Sequence, residues 1–316
     1  MKDEEKVVKL FNGVTDVGDD LIEEAGTVRK HKKMTPWRGA AIAACLCLAL
    51  VGTAFAASPA LRDMLAEALG GFAPYAQEQK GEAYVIDGME FRVVSALADD
   101  FTVRAYIEAK DLEGDRLSEL ELNTFGSVSG LVDIPRKDTG EGVSGFVMSG
   151  ICVDYDKETK TALLAITTWG QVMADDLSGS EVRLFDLSGG SMTGYQCLWE
   201  NSEDVTFPVE IEPMPSFVAD TGFTSAIRAE EVRLSALGVS AIFKGDEAWH
   251  QYTGANISVK LKDGTLVEAF WEGGQGNFGT YGTESERKVL IWNFRQPVEP
   301  EQIEGVYMGE SYFPMK

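Results

Sequence analysis

Apolar positions along the chain follow a helical period, then a run without interruption, then a two-residue alternation. Val7, Leu10, Phe11, Val14, Val17, Leu21, Ile22 and Ala25 recur at spacings of three and four, which predicts an apolar stripe on one helix or on two short ones. Gly13, Thr15 and Gly18 weaken the middle of that stretch, and Asp19 or Asp20 suits the cap of a second helix near Leu21. From Gly39 to Ala57 there are nineteen residues without a charge. At about 1.5 Å of rise per residue, a helix of that length covers roughly 28 Å, close to the ~30 Å hydrocarbon core of a bilayer. Eight of the nineteen are alanine, so the drive to insert is adequate but modest. A further helix is predicted from Ser58-Pro59, as cap and first turn, through Leu61, Met64, Leu65 and Leu69 to Gly70-Gly71. It would serve as a stalk.

Beyond Tyr84 the pattern alternates and turn residues become frequent. Strands are expected at 84–86, 91–94, 103–107, 146–154, 161–168, 181–187 and 204–212, with turns at Asp87-Gly88, Asp99-Asp100 and Asp111 to Asp115. Pro208, Pro213 and Pro215 mark a boundary near Ser216, and strands follow at 228–234, 237–243, 256–262, 265–271 and 288–294. Asp263-Gly264 between two alternating runs predicts a type I′ hairpin. No βαβ rhythm is present, so the expected class is mainly β: tandem antiparallel, Ig-like β-sandwiches, with one larger sandwich as the alternative. The resulting division is 1–38 helical and basic, 39–57 transmembrane, 58–81 stalk and linker, 82–215 first β region and 216–316 second.

Charge gives this division an orientation. Arg29, Lys30, Lys32, Lys33 and Arg38 precede the apolar run, whereas the fifteen residues after it hold Arg62 as their one base. The positive-inside rule then places the N terminus in the cytoplasm and the C-terminal part outside, with Lys30, Lys32, Lys33, Trp37 and Arg38 at the inner membrane face. A cleaved signal peptide is the competing explanation, since Ala54-Phe55-Ala56 offers a small-x-small site. A thirty-eight-residue leader and a nineteen-residue apolar run are both too long for that pattern. With 51 Asp and Glu against 28 Lys and Arg, the net charge is −23. The bases and acids of residues 1–38 cancel, so this acidity belongs to the outer part and argues against nucleic acid as a partner.

The inner stripe has consequences of its own. Fewer than thirty residues cannot bury it alone, and its acidic face does not suit an anionic leaflet, so Leu10, Phe11, Val14, Leu21 and Ile22 are expected to grip a cytoplasmic protein. Catalytic and metal chemistry finds little in this chain. Asp154, Asp156 and Glu158 alternate in DYDKE without the glycine and distal Glu of an EF-hand, and a solvated turn is expected there. His250 has no evident partner, and Gly273-Gly274-Gln275-Gly276-Asn277 lacks the lysine of a phosphate loop and reads as a wide turn. No nucleophile motif occurs, and neither an enzyme nor a bound cofactor or metal is expected. Cys152 and Cys197 fall outside the membrane, where a disulfide is chemically allowed; a bridge and two buried free thiols are the alternatives, and spacing does not decide between them.

Leu10-Phe11-Asn12, then Asp16-Val17-Gly18-Asp19-Asp20-Leu21-Ile22-Glu23-Glu24-Ala25, a basic run and an Ala/Cys/Leu-rich span together resemble the start of anti-sigma-factor-like single-pass membrane proteins of Gram-positive bacteria. The stretch Gly88 to Asp100 with Lys110 to Leu117 is similar to their uncharacterised first outer module. Leu234 to Val239, Lys262 to Thr265 and Pro297 to Ile303 are similar to its C-terminal companion. The chain departs from the zinc-binding form of such proteins: Cys45 and Cys47 enclose a single residue and lie within the apolar span. The resemblance implies a membrane-bound signalling regulator whose inner segment holds a sigma factor and whose outer part senses an unknown ligand. The alternative is a purely extracytoplasmic binding or structural module, anchored by its N-terminal helix.

Overall fold

The computed structural model describes residues 59–124, 127–133, 147–169, 177, 179–189, 196–221, 229–244, 251–278 and 287–316, all within one compact unit. The inner stripe with Leu10, Phe11, Val14, Leu21 and Ile22, the basic flank with Lys30, Lys32, Lys33, Trp37 and Arg38, and the apolar run 39–57 lie outside the described residues, as does His250. Among the described residues no helix is long and apolar enough to cross a membrane.

The chain is mainly antiparallel β. Helix α1 (Pro59–Leu69) and a 3-10 turn (Gly70–Tyr75) lead into β1 (Gln77–Glu78), β2 (Tyr84–Ile86), β3 (Met89–Ala98), β4 (Thr102–Asp111), β5 (Val128–Asp133), β6 (Val147–Asp156), β7 (Thr161–Trp169), β8 (Ser180–Gly189), β9 (Gln196–Glu200) and β10 (Thr206–Val209). These build two sheets. One runs β1-β3-β4-β7-β6 with β2 also on β3, and the other runs β10-β8-β5 with β9 also on β8. Their facing sides share one core that includes Phe91, Ile107, Leu164, Ile166, Leu184, Trp199 and Phe207. Trp199 is anchored in it twice, by its ring 4.5 Å from that of Phe91 and by its indole N–H, which donates to the Ile86 carbonyl at 3.1 Å. Gly150 lets the two sheets touch at a corner: a Cβ there would lie 2.3 Å from the Val128 carbonyl oxygen.

All nine residues of β7 are buried, where a sheet with one wet face would show alternation. The cause is α1. Its Leu61, Met64, Leu65 and Leu69, spaced at three and four, pack with Val94, Leu97, Tyr106, Leu163 and Ala165 on the second face of the first sheet. The helix expected as a stalk is therefore a docked wall, because its apolar stripe finds a sheet face to bury instead of projecting into water.

The second β region comprises β11 (Phe217–Val218), β12 (Ala229–Leu234), β13 (Gly238–Lys244), β14 (Ile257–Leu261), β15 (Leu266–Phe278), β16 (Arg287–Asn293), β17 (Ile303–Met308) and β18 (Ser311–Pro314). They form a single sheet in the order β11-β12-β13-β16-β15-β14-β17-β18. Long β15 pairs with β14 through Leu266 to Ala269 and with β16 through Phe270 to Phe278, with register shifts at Trp271/Gly273 and Gly276/Phe278. Such bulges bend a strand. The sheet curls until Ala219, just past β11, bridges Met315, just past β18, and the Asp220 N–H donates to the Pro314 carbonyl at 2.7 Å. Residues from both halves, among them Phe243, Val259, Leu290, Trp292, Val306 and Phe313, fill one core. Gly273 to Asn277, expected as a turn, lies within β15. Asp263-Gly264 also departs from expectation: Gly264 alone takes a positive φ there (+89°), and the true pair of positive angles falls at Asp87 (+48°) and Gly88 (+73°).

Candidate functional site

Where α1, the first sheet and β15 meet, they enclose a cleft of about 630 Å3, lined by residues from every one of these elements. That is within the ~300–1,000 Å3 range of small-ligand sites. Its floor follows from strand register. Arg104 pairs with Thr167 and Tyr106 with Ala165 across β4 and β7, and Ile151 of β6 lies beside Ala165, so these side chains share the face turned toward α1. One wall is Met64, Glu67 and Ala68 of α1. Glu272 of β15 stands opposite, from the second β region.

A bulge supplies the remaining wall. In β6 the pairing with β7 shifts between Cys152 and Asp154, leaving Val153 unpaired. Without that extra residue Asp154 would face the inner core beside Cys152; with it, Asp154 pairs opposite Leu163, whose side chain belongs to the α1 face. The bulge thus turns a carboxylate into the cleft. Leu122 and Asn123 close the rim: Leu122 bridges Cys152 and the Asn123 N–H donates to the Cys152 carbonyl at 2.7 Å. Leu122 is large, apolar and 49% exposed.

The electrostatics are unbalanced. Three carboxylates, Glu67, Asp154 and Glu272, surround a single guanidinium, Arg104. Arg104 Nε donates to Thr167 Oγ1 at 3.0 Å, and its terminal nitrogen reaches Glu272 only at 4.0 Å, beyond hydrogen-bond range. Its terminal N–H groups bond no described residue. Tyr106 is 3% exposed, yet its hydroxyl has no hydrogen-bond partner among the described residues. The hydroxyl is not sealed from solvent and opens toward the cleft that Tyr106 lines. The cleft therefore offers donors from Arg104, Tyr106 and Asn123, acceptors from three carboxylates, and apolar surface from Met64, Leu122, Ile151 and Val153.

Beside the cleft, a polar junction ties the two β regions. Asp99 accepts from the N–H groups of Phe101 (2.9 Å) and Thr102 (2.8 Å) and from Ser235 Oγ (2.6 Å), while burial pushes its carboxyl above the usual range against those bonds. Asp100 accepts from Arg233 at 2.7 Å and from the Ser216 hydroxyl.

Other residues singled out by sequence are not brought together. Cys152 and Cys197 are both free, the first buried on β6 and the second exposed on β9 in the other sheet, so neither a bridge nor a pair of buried thiols is formed. Burial pushes the Cys152 thiol up to about 12, which leaves it inert. Asp156 closes the β6–β7 turn by accepting from the Glu158 N–H at 3.0 Å and the Thr159 hydroxyl at 2.6 Å. Sequence reasoning missed the cleft itself. Its one available signal was Arg104 and Tyr106 alternating with Val103, Ala105 and Ile107, a polar face on a strand otherwise bound for the core.

No family model matches the chain, and no curated protein matches it. Among solved structures, it is similar to the crystal structure of the conserved domain protein from Bacillus anthracis. The two are 13% identical, with 73% of this chain and 76% of that chain covered and a TM-score of 0.43.

Proposed function

We propose that the protein is a membrane-anchored signalling regulator of the anti-sigma-factor-like kind, with residues 1–38 in the cytoplasm, 39–57 in the bilayer and the β regions outside as the sensing part. The proposal extends to the fold: the first region is an Ig-like sandwich of two facing sheets, and the second is a sandwich bent from one sheet. One observation carries the functional reading most directly. Helix α1 starts two residues after the apolar run and is held between the first sheet and Ala236 and Leu237 of the second region, with Met64, Glu67 and Ala68 facing the cleft. A ligand in that cleft would bear on the element that adjoins the membrane, as a transmitter requires.

The inner segment supplies the other end. Val7, Leu10, Phe11 and Val14 have the i, i+3, i+4, i+7 spacing of a helix that lies in a partner's groove. Immobilised residues 1–38 should capture a sigma factor from lysate, and Phe11→Ala or Leu21→Ala should weaken capture about tenfold or more. Protease applied to protoplasts should remove the part after Ser58 and spare the N terminus. A soluble fragment starting at Ala57 or Ser58 in untreated cells would overturn the topology. An empty capture, with transcription unchanged on deleting residues 2–28, would leave an extracytoplasmic binding module in its place.

A further inference from the structure

We infer that the cleft between α1, the first sheet and β15 binds a short peptide that carries an ammonium group. Its backbone carbonyls would face Arg104, Tyr106 and Asn123, and its cation would face Glu67, Asp154 and Glu272.

Acidic side chains alone would draw any cation and specify nothing. The second, independent feature is Tyr106, buried to all but 3% and lining the cleft with a hydroxyl that no described residue satisfies. A donor on the cleft floor with no protein partner can give its hydrogen bond to an occupant's acceptor in place of water. The terminal N–H groups of Arg104, which pair with Glu272 only at 4.0 Å, can donate close by, since Arg104 and Tyr106 project from one face of β4 two residues apart. Donors of this kind suit amide carbonyls. Phosphate and simple carboxylate ligands fit poorly, because three carboxylates against one guanidinium repel a second anion. Carbohydrate leaves the apolar surface of Met64, Leu122, Ile151 and Val153 without a use, whereas peptide side chains cover it. The overall charge of −23 steers a cation inward from a distance.

The inference deepens the sensing role proposed above by naming the ligand class. It rests on that role for its biological meaning, although binding itself does not. The test is calorimetric titration of the full chain in phosphatidylcholine nanodiscs with acetyl-Leu-Lys-Leu-amide, its Gln analogue and its Glu analogue. The Lys peptide should bind, more weakly as salt rises, with the Gln analogue about tenfold weaker and the Glu analogue without measurable heat. Glu67→Gln combined with Asp154→Asn should cost the Lys peptide about tenfold. Tyr106→Phe keeps the ring and should cost several-fold, with the melting temperature unchanged. Should the double variant fail to fold, Tyr106→Phe and the comparison of peptides on the unaltered chain decide. Equal affinity for all three peptides, no binding of the Lys peptide at millimolar concentration, or unaltered binding by Tyr106→Phe overturns the inference. None of these outcomes bears on the protoplast and capture experiments, which test the anchored regulator separately.

Discussion

Asp111 shows how much one side chain can organise. It is 3% exposed at the end of β4, where its carboxylate accepts from the N–H groups of Glu113 (3.1 Å), Gly114 (2.9 Å) and Arg116 (2.8 Å). The Arg116 guanidinium adds a two-pronged contact, Nε at 3.0 Å and a terminal nitrogen at 2.8 Å. Arg116, together with these backbone donors, holds the carboxyl well below its ordinary range despite the burial. Replacing Asp111 by Asn should cost about 2–3 kcal/mol at neutral pH, because the amide cannot accept all five bonds. The sign of the pH effect follows from the depressed value. Wild-type stabilisation by this group is complete above the unfolded carboxylate value of about 4 and is lost as pH falls toward the lower folded value. Denaturant melts from pH 7 to pH 2 should therefore show the difference between wild type and Asp111→Asn shrinking below about pH 4. A difference that stayed constant would mean that the charge is irrelevant and only shape matters.

The same separation of contact from position governs the elements, and α1 is the clearest case. Leu65 is 1% exposed between the first sheet and the second β region. Leu65→Ala should destabilise the protein by about 2–5 kcal/mol, the usual range for a buried leucine. It should also raise hydrogen exchange in β7, whose second face would then be uncovered; protection of β7 equal to wild type would argue that α1 covers nothing essential. The stripe of α1 was legible from Leu61, Met64, Leu65 and Leu69, but its burial site was not, since a sequence pattern names a face without naming what covers it. Strong alternation placed most strands within a few residues. It missed β1, β5, β9, β11, β17 and β18, where Gly130 or Gly305 interrupts the pattern or the strand is short. Gly305 is required by contact, since a Cβ there would lie 2.6 Å from the Phe313 carbonyl oxygen. The cleft stayed hidden for a related reason. Asp154 reaches it only through the bulge at Val153, and Glu272 only through the bend of β15, and neither local irregularity follows from composition or period.

At the scale of the whole molecule, the chain between the two β regions is stitched down along its length. Gln77 and Gln79 use their side-chain amides to exchange pairs of hydrogen bonds with the backbones of Glu212 and Glu210, at 2.5 to 2.9 Å. Met214 then donates its N–H to the Ala98 carbonyl at 2.8 Å, and Ser216 bonds Asp100. Around this seam lie the Asp99–Ser235 and Asp100–Arg233 contacts and two apolar clusters. Phe101 and Trp169 pack against Val289 and Ile291, and α1 packs against Ala236 and Leu237. Gly71 allows the closest approach, since a Cβ there would meet Gln296 and Pro297 of the second region. Buried apolar surface on both sides of the seam and the hydrogen bonds that cross it make its opening costly, so residues 59–316 should melt as one cooperative unit. Calorimetry of the full chain should give a single transition over this part. Leu237→Asp puts an unpaired charge where the residue is 5% exposed and should split that transition in two, the second region melting first because it loses the seam without gaining a partner. Two transitions in the unaltered protein would instead mean that the β regions are independent, and a ligand in the cleft could then move one without bearing on α1.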